Sequence, residues 1–397
     1  MKILMVNKFL YPNGGSETYM MNLGAYYTSL GHEVQYFGME DERNIIGNNV
    51  KSYVSNIAFH VRGDRIKKLT YPFRIIYSQE ARRKIRAVIH DFHPDIAHMH
   101  NINFQITPSI IYELRKYKIP VIQTVHDYQM ICPNHMLYQV VNGSPCEKCV
   151  SGSYYHCVKE KCIHGSRLRS IIAAIEAYYY RYRKTYHLVD RYIAPSEFLA
   201  NKLSQGGIPP EKIKILHNFV VAATMPEQTK GEKYALYFGR LSQEKGIGML
   251  IEVCKELPDI QFVFAGTGPL ESLLAGAENI QYIGFTTGEK LNSLIRNAKF
   301  SLLPSVWFEN CPLTILESQA LGTPVIGSDY GGIPELIENG KSGLVFKGGD
   351  YIGLKSAIRE LWDNDKLCDT MSEYCRTKPQ VTVAEYTERL SEEYYFA

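Results

Sequence analysis

The chain has 397 residues, of which 45% are hydrophobic and 21% charged, and its formal net charge is +3. This length accommodates two domains with full cores, and the ordinary globular composition excludes a disordered or fibrous chain. No stretch approaches the ~18 uncharged apolar residues of a membrane-spanning helix, and the first apolar run is too short for the core of a signal peptide. We therefore expect a cytoplasmic protein.

The charge is unevenly distributed. Residues 1–218 carry 28 Lys and Arg against 17 Asp and Glu, whereas the remaining residues carry 16 against 24. The basic first part predicts an anionic partner. Basic, aromatic and aliphatic residues are interspersed at 62–86 and at 167–183. This pattern favours contact with an anionic membrane surface, and solvated helix faces are the alternative. No nucleic-acid-binding motif accompanies the charge, so we expect no nucleic acid partner.

Short apolar strands alternate with helical patterns along the first part. A strand at 2–6 leads through Gly14-Gly15 into an amphipathic helix over 17–30. Further strands are predicted at 34–37, 96–100, 120–125, 191–194 and 213–216. His126 follows directly after one of them.

The strand pattern restarts at 234–238. Four more strands are predicted, at 260–265, 280–283, 300–303 and 324–326. Alternating strands and helices predict parallel doubly wound sheets. With a break near 218–232, they predict an α/β fold of two Rossmann-like domains that face each other across a cleft, at 1–220 and 221–380. Ligands of such sheets bind beyond the carboxyl ends of the strands.

The segment 304–322 follows a predicted strand and carries the most informative pattern. Pro312 is predicted as the first residue of a helix, and Gly322 as its C-terminal cap. The amides of Leu313 and Thr314 then lack intrahelical partners. Such a helix start binds phosphate through its free N–H groups and the positive end of its dipole.

Four charged side chains surround this phosphate-binding pattern. Glu309 lies in the loop before the helix and Glu317 lies more than one turn into it, so that one carboxylate can take sugar hydroxyls and the other a ribose. Arg240 and Lys245 follow the strand at 234–238 and can clamp a diphosphate; an incidental solvated loop is the alternative. Together these residues predict a nucleotide-sugar site.

Six motifs of the chain occur in the order seen in one enzyme family. They are Gly14-Gly15, His126-Asp127, the turn over 239–246, Gly266-Thr267-Gly268-Pro269, the segment 304–322 and Gly331-Gly332-Ile333-Pro334-Glu335. Over nearly its whole length the chain resembles family-4 retaining glycosyltransferases of the bacterial surface-polysaccharide type. The resemblance implies the GT-B fold, with residues 381–397 forming a helix that packs back on the N-terminal domain.

The resemblance also implies roles for single residues. Arg240 and Lys245 match residues that contact the donor diphosphate. Glu309 matches a residue that holds sugar hydroxyls, and His126 matches a positioning and electrostatic group that points at the reacting sugar. These four are the predicted catalytic residues. The predicted donor-binding residues are Gly14, Gly15, Gly266, Gly284, Phe285, Asn310, Cys311, Pro312, Leu313, Thr314 and Glu317.

The implied reaction moves a sugar from a nucleotide-sugar, expected to be a UDP-sugar, to a glycan acceptor with retention of anomeric configuration. Front-side attack is expected, without a required cofactor or divalent metal. The expected acceptor is lipid-linked, at the inner face of the cell membrane. The D-x-D form of Asp363-Asn364-Asp365 is interpreted as a solvated helix end. The alternatives are a nucleotide-sugar 2-epimerase and a non-catalytic sugar-nucleotide-binding protein.

The chain departs from the family pattern at two places. The family motif N-G-[VI]-[DN] is replaced by Asn218-Phe219-Val220-Val221, so no donor contact is predicted there. Glu309 is preceded by Trp307-Phe308 and followed by Asn310-Cys311, rather than standing in the commoner G-F-G surroundings. This second departure leaves the identity of the sugar open.

Five of the nine cysteines fall within 132–165, a segment that is predicted as an insertion poor in apolar core residues. The C-x2-C spacing of Cys146 and Cys149, followed by Cys157 and Cys162, predicts a structural zinc site. Free or disulfide-forming thiols are the main alternative, and a redox role is the lesser one. Because the insertion closely follows His126, we expect it to border the acceptor entrance.

Overall fold

The computed structural model describes residues 1–56, 74–220 and 233–397. The predicted basic residues within 62–73 and the predicted linker at 221–232 lie outside the described residues. The described chain divides into two compact units. Met1–Val141, Cys146–His217 and Val383–Ala397 form the first unit, and Asn142–Pro145 and Asn218–Thr382 form the second. None of the described helices is long and apolar enough to cross a membrane.

The first unit contains a six-stranded parallel sheet. The strands up to residue 217 are β1 (Lys2–Val6), β2 (Glu33–Phe37), β3 (Ile96–Met99), β4 (Val121–Thr124), the two-residue β5 (Tyr138–Gln139) and β6 (Ser144–Pro145), β7 (Arg191–Ala194) and β8 (Ile213–Ile215). The sheet has the order β2-β1-β3-β4-β7-β8, and the strand order reverses between β1 and β3. Each strand predicted in this part is confirmed to within one residue at either end.

Of the helices that the structure describes beside this sheet before residue 217, three begin at a serine cap. The helices are α1 (Gly15–Ser29), α2 (Gln79–Phe92), α3 (Ile110–Lys116), α4 (Tyr155–Lys159), α5 (Arg167–Tyr182) and α6 (Glu197–Gln205). Ser78, Ser166 and Ser196 precede α2, α5 and α6, and each hydroxyl accepts a hydrogen bond from the amide three residues further on. This bond replaces one that the helix start lacks, so the local sequence sets where these helices begin.

The second unit contains another six-stranded parallel sheet. Its strands are β9 (Ala235–Phe238), β10 (Phe262–Ala265), β11 (Ile280–Gly284), β12 (Phe300–Leu303), β13 (Val325–Ser328) and β14 (Gly343–Phe346). They lie in the order β11-β10-β9-β12-β13-β14, which is the 3-2-1-4-5-6 order of dinucleotide-binding Rossmann sheets. The order reverses between β9 and β12, so the expected ligand site lies at the carboxyl ends of these two strands. All strands of this unit except β14 were predicted.

The helices of the second unit cover a core centred on its middle strands. They are α7 (Ile247–Lys255), α8 (Gly288–Asn297), α9 (Leu313–Ala320), α10 (Ile333–Leu336), α11 (Tyr351–Asp363) and α12 (Asp365–Thr377). Phe262, Phe264 and Phe300 are wholly buried in this core. The D-x-D motif occupies the junction of α11 and α12, where Asp365 pairs with Lys233 and Lys299.

The last helix, α13 (Val383–Phe396), belongs to the first unit. The Tyr386 hydroxyl lies 2.6 Å from the Tyr19 hydroxyl in α1. At the other end of α13, Glu393 pairs with Arg191 and Lys214 at 3.3 Å each. The helix is therefore attached to α1 at one end and to β7 and β8 at the other.

Candidate functional site

Three loops of the second unit pack backbone against backbone beside β9 and β12. Gly246 has a φ of 74°, and a Cβ there would lie 1.9 Å from the carbonyl oxygen of Pro304. Gly331 has a φ of 67°, and its Cβ would lie 2.1 Å from the carbonyl oxygen of Glu309. Only glycine fits both the left-handed conformation and this close approach. These two glycines therefore place the turn over 239–246 and the turn before α10 directly against the loop that carries Glu309.

Lys245 and Glu309 form a partly buried ion pair at this site. The Lys245 Nζ lies 2.5 Å from Glu309 Oε1, and the Ser305 hydroxyl donates to the same oxygen at 2.6 Å. The Lys245 ammonium also lies 5.3 Å from the ring centre of Trp307. Burial alone would raise the pKa of Glu309, but the charge of Lys245 and hydrogen bonds from Lys245, Ser305 and Trp307 outweigh it and lower that pKa. Glu309 is thus held ionised and in a fixed orientation.

Helix α9 begins beside this ion pair with free amides. Pro312 is its N-cap and not its first residue, a correction of one position, and no side chain caps the helix. The first intrahelical partner of the Pro312 carbonyl is the amide of Ile315, so the amides of Leu313 and Thr314 precede the helical ladder. Among the described residues, the buried Oγ1 atom of Thr314 has no hydrogen-bond partner. A hydroxyl and two amides therefore converge where a phosphate was predicted.

The remainder of α9 follows the sequence prediction. Glu317 lies one turn into the helix, where burial raises its pKa to about 7. At the C-terminal end, Gly322 has a φ of 78°. Its amide donates to Gln319, and the amide of Thr323 donates to Ser318. These are the two bonds of a Schellman motif, which confirms Gly322 as the cap.

Asn218 is a positioning residue that the sequence analysis missed. Its Nδ2 donates to the Cys311 carbonyl oxygen at 2.9 Å, and its backbone amide donates to Cys311 Sγ at 3.3 Å. Asn218 therefore fixes the loop just before Pro312. The sequence did carry a signal, because Asn218 stands where the family motif N-G-[VI]-[DN] begins. Phe219 in place of the glycine of that motif obscured it.

The other predicted donor residues of this unit lie at the same sheet edge. The Gly266 amide donates to the Gly284 carbonyl at 2.8 Å, so the loops after β10 and β11 adjoin. Phe285 follows with 75% of its surface exposed. Arg240 follows β9 and is also exposed. The structure thus gathers Arg240, Lys245, Gly266, Gly284, Phe285, Glu309, Asn310, Cys311, Pro312, Leu313, Thr314 and Glu317 at the carboxyl ends of β9 to β12 and at the start of α9.

His126 lies in the first unit, next to the helix that follows Gly14-Gly15. Gly14 is the N-cap of α1, and Gly15 is its first residue. Tyr19, one turn into α1, packs its ring edge-on against His126 with ring centres 5.1 Å apart. Nε2 of His126 lies 3.1 Å from Nδ1 of His100. The structure therefore brings the predicted residues Gly14, Gly15 and His126 into one region.

A buried polar network continues behind His126, and the sequence analysis did not predict it. His98 lies 2.7 Å from the hydroxyls of both Thr124 and Tyr394. Burial lowers the pKa of His98 and of His126 to about 3, and lowers that of His100 well below its usual range. These histidines are therefore neutral at pH 7, which makes His126 a hydrogen-bonding group and not a cation. The spacing of His98 and His100 was the available signal, since alternate residues of a strand share a face.

The five cysteines of the segment 132–165 also lie in the first unit. The structure places Cys132 with the four predicted zinc ligands Cys146, Cys149, Cys157 and Cys162, around one small cavity. All nine cysteines are free thiols. Across the described ranges, no group of three or more His, Cys, Asp or Glu side chains is already arranged to hold a metal ion. The zinc site therefore stays a prediction.

Two Rossmann-like units, each built on a six-stranded parallel sheet, define the GT-B class of fold. Among solved structures, the chain is similar to HepE from Anabaena in complex with UDP, at a TM-score of 0.69, 16% identity and full coverage of both chains. It is also similar to sucrose-phosphate synthase from Thermosynechococcus elongatus, at a TM-score of 0.73 and 15% identity, with 99% and 98% of the two chains covered. At such identities the likeness shows the fold alone.

Sequence comparison identifies the family. A family model described as Glycosyltransferase Family 4 matches residues 13–223, and one described as Glycosyl transferases group 1 matches residues 224–378. The chain therefore belongs to glycosyltransferase family 4, as the motifs indicated.

Two relatives illustrate the range of similarity. The putative colanic acid biosynthesis glycosyltransferase WcaL of Salmonella typhimurium is 28% identical over 205 residues, which cover 45% of this chain and 49% of WcaL. An uncharacterised 42.6 kDa protein from the cps region of Klebsiella pneumoniae is 24% identical over 354 residues, covering 85% and 87%. The chain spans about half the length of the first relatives it matches, WcaL and the amylovoran biosynthesis glycosyltransferase AmsK of Erwinia amylovora.

Proposed function

We propose that the protein is a retaining glycosyltransferase that moves a sugar from a UDP-sugar to a lipid-linked glycan acceptor during surface-polysaccharide synthesis. The observation that carries the proposal is the ion pair of Lys245 and Glu309, which lies beside the exposed Arg240 and the free amides of α9. The donor class is supported by HepE, whose solved structures contain UDP and UDP-glucose. The role in polysaccharide synthesis is supported by the names of WcaL and AmsK, which are colanic acid and amylovoran biosynthesis glycosyltransferases.

The proposed mechanism follows from where charge develops. As the bond between the anomeric carbon and the diphosphate oxygen breaks, negative charge grows on the diphosphate. Arg240, Lys245 and the amides before Ile315 offset it. These groups supply the positive charge, so the proposal is metal-independent. Glu309, held ionised, accepts hydrogen bonds from sugar hydroxyls.

Without a covalent intermediate, retention requires that the acceptor attack from the side that the diphosphate leaves, and we propose this single step. The acceptor oxygen bonds to the anomeric carbon, and its proton passes to the departing diphosphate oxygen. Neutral His126 orients the reacting sugar through a hydrogen bond and does not act as a nucleophile. No other proton carrier is then needed.

The first prediction tests donor use. In EDTA and with UDP-, GDP- and ADP-sugars as the panel, we expect nucleotide release from one UDP-sugar. Arg240→Ala should lower kcat/KM by about 10²–10³-fold, because it removes one group that stabilises the leaving diphosphate. Because the Arg240 side chain is exposed, its removal should leave the fold intact. Lys255→Ala, which removes an exposed cation of α7, is the matched control and should keep full activity.

Other outcomes of this assay would favour the alternatives. Rearranged sugar released without an acceptor would indicate a 2-epimerase. No release from any donor, with or without membranes and Mg²⁺, would indicate a non-catalytic nucleotide-sugar-binding protein. Equal activity of the Arg240→Ala and Lys255→Ala variants would contradict the proposed diphosphate site.

The proposed membrane contact lies on α5. One face of this helix carries five apolar residues that are 37–88% exposed, here called the α5 stripe: Leu168, Ile171, Ile175, Tyr178 and Tyr182. Exposed basic residues flank it at both ends, namely Arg167, Arg169, Arg181, Arg183 and Lys184. An apolar stripe with basic flanks suits an anionic lipid surface, where each basic residue contributes ~1 kcal/mol. In the other basic stretch, Arg82 and Arg86 are paired with buried Glu113 and are less suited to this role.

The second prediction tests this surface with vesicles. The protein should co-sediment with phosphatidylglycerol-containing vesicles, and much less with phosphatidylcholine vesicles. Leu168→Ser/Ile175→Ser/Tyr182→Ser should weaken binding at least ~10-fold, because each apolar side chain loses ~1 kcal/mol or more of burial in the lipid interface. Ile352→Ser, at an apolar position of α11 that is 66% exposed, is the control. Equal binding of the triple variant and the control would rule out the α5 stripe.

A further inference from the structure

Five cysteines from three separate segments meet around one cavity in the first unit. Cys132 comes from the loop after β4, Cys146 and Cys149 from the turn after β6, and Cys157 and Cys162 from α4 and the turn that follows it. The cavity has a volume of about 10 Å³ and is also lined by His156 and Glu160. This space is close to that of a single small atom.

Apolar packing around these cysteines comes from a small cluster. Its buried members are Cys149, Tyr154, Cys157 and Ala174, and Val158, Cys162, Ile163 and Ala177 are partly buried against them, so three of the eight are themselves cysteines. A segment with so small a core gains little free energy from burial, and such segments are commonly held by disulfides or by a structural metal. The cysteines are therefore the natural candidates for holding this segment together.

The arrangement of the thiols favours a metal over disulfides. A disulfide joins two sulfurs, whereas here four cysteines besides Cys132 share one cavity and include a C-x2-C pair, which is the spacing of zinc ligands. The Cys132 thiol donates a hydrogen bond to the Asn134 side-chain oxygen at 2.9 Å, a partner outside the cysteine group. The thiols of Cys157 and Cys162 are instead hydrogen-bonded to each other, and both would lose their protons on binding a metal. We therefore assign Cys132 to the wall of the cavity and the other four cysteines to the metal.

We propose that Cys146, Cys149, Cys157 and Cys162 bind one structural Zn²⁺ ion at this cavity. The four sulfurs line the cavity and are not a preformed ligand set, so binding requires them to turn inward to the ~2.3 Å of a Zn–S bond. Four thiols lose their protons to solvent as the ion binds. Zinc does not change oxidation state, and no electron is transferred.

The ion would join the turn after β6 to α4, which packs against α5. Cys149 and Cys157 belong to the same buried cluster as Ala174 of α5, which lies beside the α5 stripe and directly before Ile175. Zinc would therefore fix the position of the helix that carries the stripe. This role concerns structure alone, and it holds whether or not the protein transfers a sugar.

The test is a measurement of metal content on the full chain, purified without a polyhistidine tag from zinc-supplemented medium. We expect about one zinc per chain by elemental mass spectrometry, and we expect reconstitution with Co²⁺ to give the strong visible absorption of a tetrahedral thiolate site. Cys149→Ser and Cys162→Ser should lose the metal. Cys132→Ser in the same cavity and Cys254→Ser in the second unit should retain it.

Three outcomes would overturn the proposal. One is a metal-free protein with reactive thiols that gives no Co²⁺ absorption, and another is intact disulfides among the five cysteines on mass mapping. The third is loss of zinc in Cys132→Ser with retention in Cys162→Ser. If a ligand variant fails to fold, the Co²⁺ spectrum of the unchanged protein still shows whether a thiolate metal site is present, because that measurement needs no substitution.

Discussion

Replacing Lys245 with methionine is expected to destabilise the second unit by about 3–5 kcal/mol, because it leaves the Glu309 carboxylate buried without its cation. The Glu309 side chain is only 7% exposed, so water cannot replace the lost partner. The same substitution should lower kcat/KM by about 10²–10³-fold, since one of the groups that offset the diphosphate charge is lost. Urea unfolding followed by tryptophan fluorescence measures the stability, because both tryptophans, Trp307 and Trp362, lie in the second unit.

The double variant Lys245→Met/Glu309→Gln separates the two effects. Removing both charges should recover most of the lost stability, since no uncompensated charge is left buried. Activity should stay low, because neither the diphosphate nor the sugar hydroxyls have their partner. Wild-type stability of Lys245→Met alone would contradict a buried pair, and recovery of activity in the double variant would contradict the proposed roles of both residues.

Acidification is expected to destabilise the first unit through its buried histidines. Burial lowers the folded pKa of His98 and His126 to about 3, and that of His100 well below its usual range. The unfolded histidines have a pKa of ~6.5, so below that pH the unfolded state binds more protons and folding stability falls. Above pH ~6.5 these histidines are neutral in both states, so they cause no pH dependence of folding stability. Each histidine lowers the free energy of unfolding by up to ~1.4 kcal/mol per pH unit of acidification, and the three together lower it by up to ~4 kcal/mol per pH unit.

Urea unfolding followed by tyrosine difference absorbance, at about pH 7 and about pH 5, measures this slope. His98→Gln should reduce the slope by up to ~1.4 kcal/mol per pH unit, because it removes one of the buried titrating groups. His90→Gln is the matched control, since His90 is exposed and its loss should leave the slope unchanged. A slope that is equal in the unchanged protein and in His98→Gln would show that His98 does not cause the acid sensitivity.

Most of the fold could be predicted because its strands are short apolar runs that end at glycine, proline or polar residues. β12 and α9 are examples: the apolar run stops at Pro304, and the helix ends at Gly322 in the predicted cap. β14 was missed, although it too is a short apolar run that ends at a polar residue. Its four residues, Gly343–Phe346, lie between turn-forming residues, and their place in the sheet depends on pairing with β13, which the local sequence does not encode.

The site was predictable where it depends on local motifs and not where it depends on contacts between distant segments. Lys245 and Glu309 could be named from their motifs, but their ion pair arises because β9 and β12 are neighbours in the sheet. The contact of Asn218 with Cys311 joins segments 93 residues apart. The bond of Tyr394 to His98 spans 296 residues, so no local pattern of the sequence could have revealed it.

The position of α13 bears on how the chain is made. Ribosomal synthesis delivers β1 to β8 first, then the whole second unit, and only then the helix whose Tyr386 and Tyr394 bond to Tyr19 and His98. Until translation reaches these tyrosines, the nascent first unit has a surface around Tyr19 that α13 has yet to cover. Its folding is therefore completed last, although its strands emerge first.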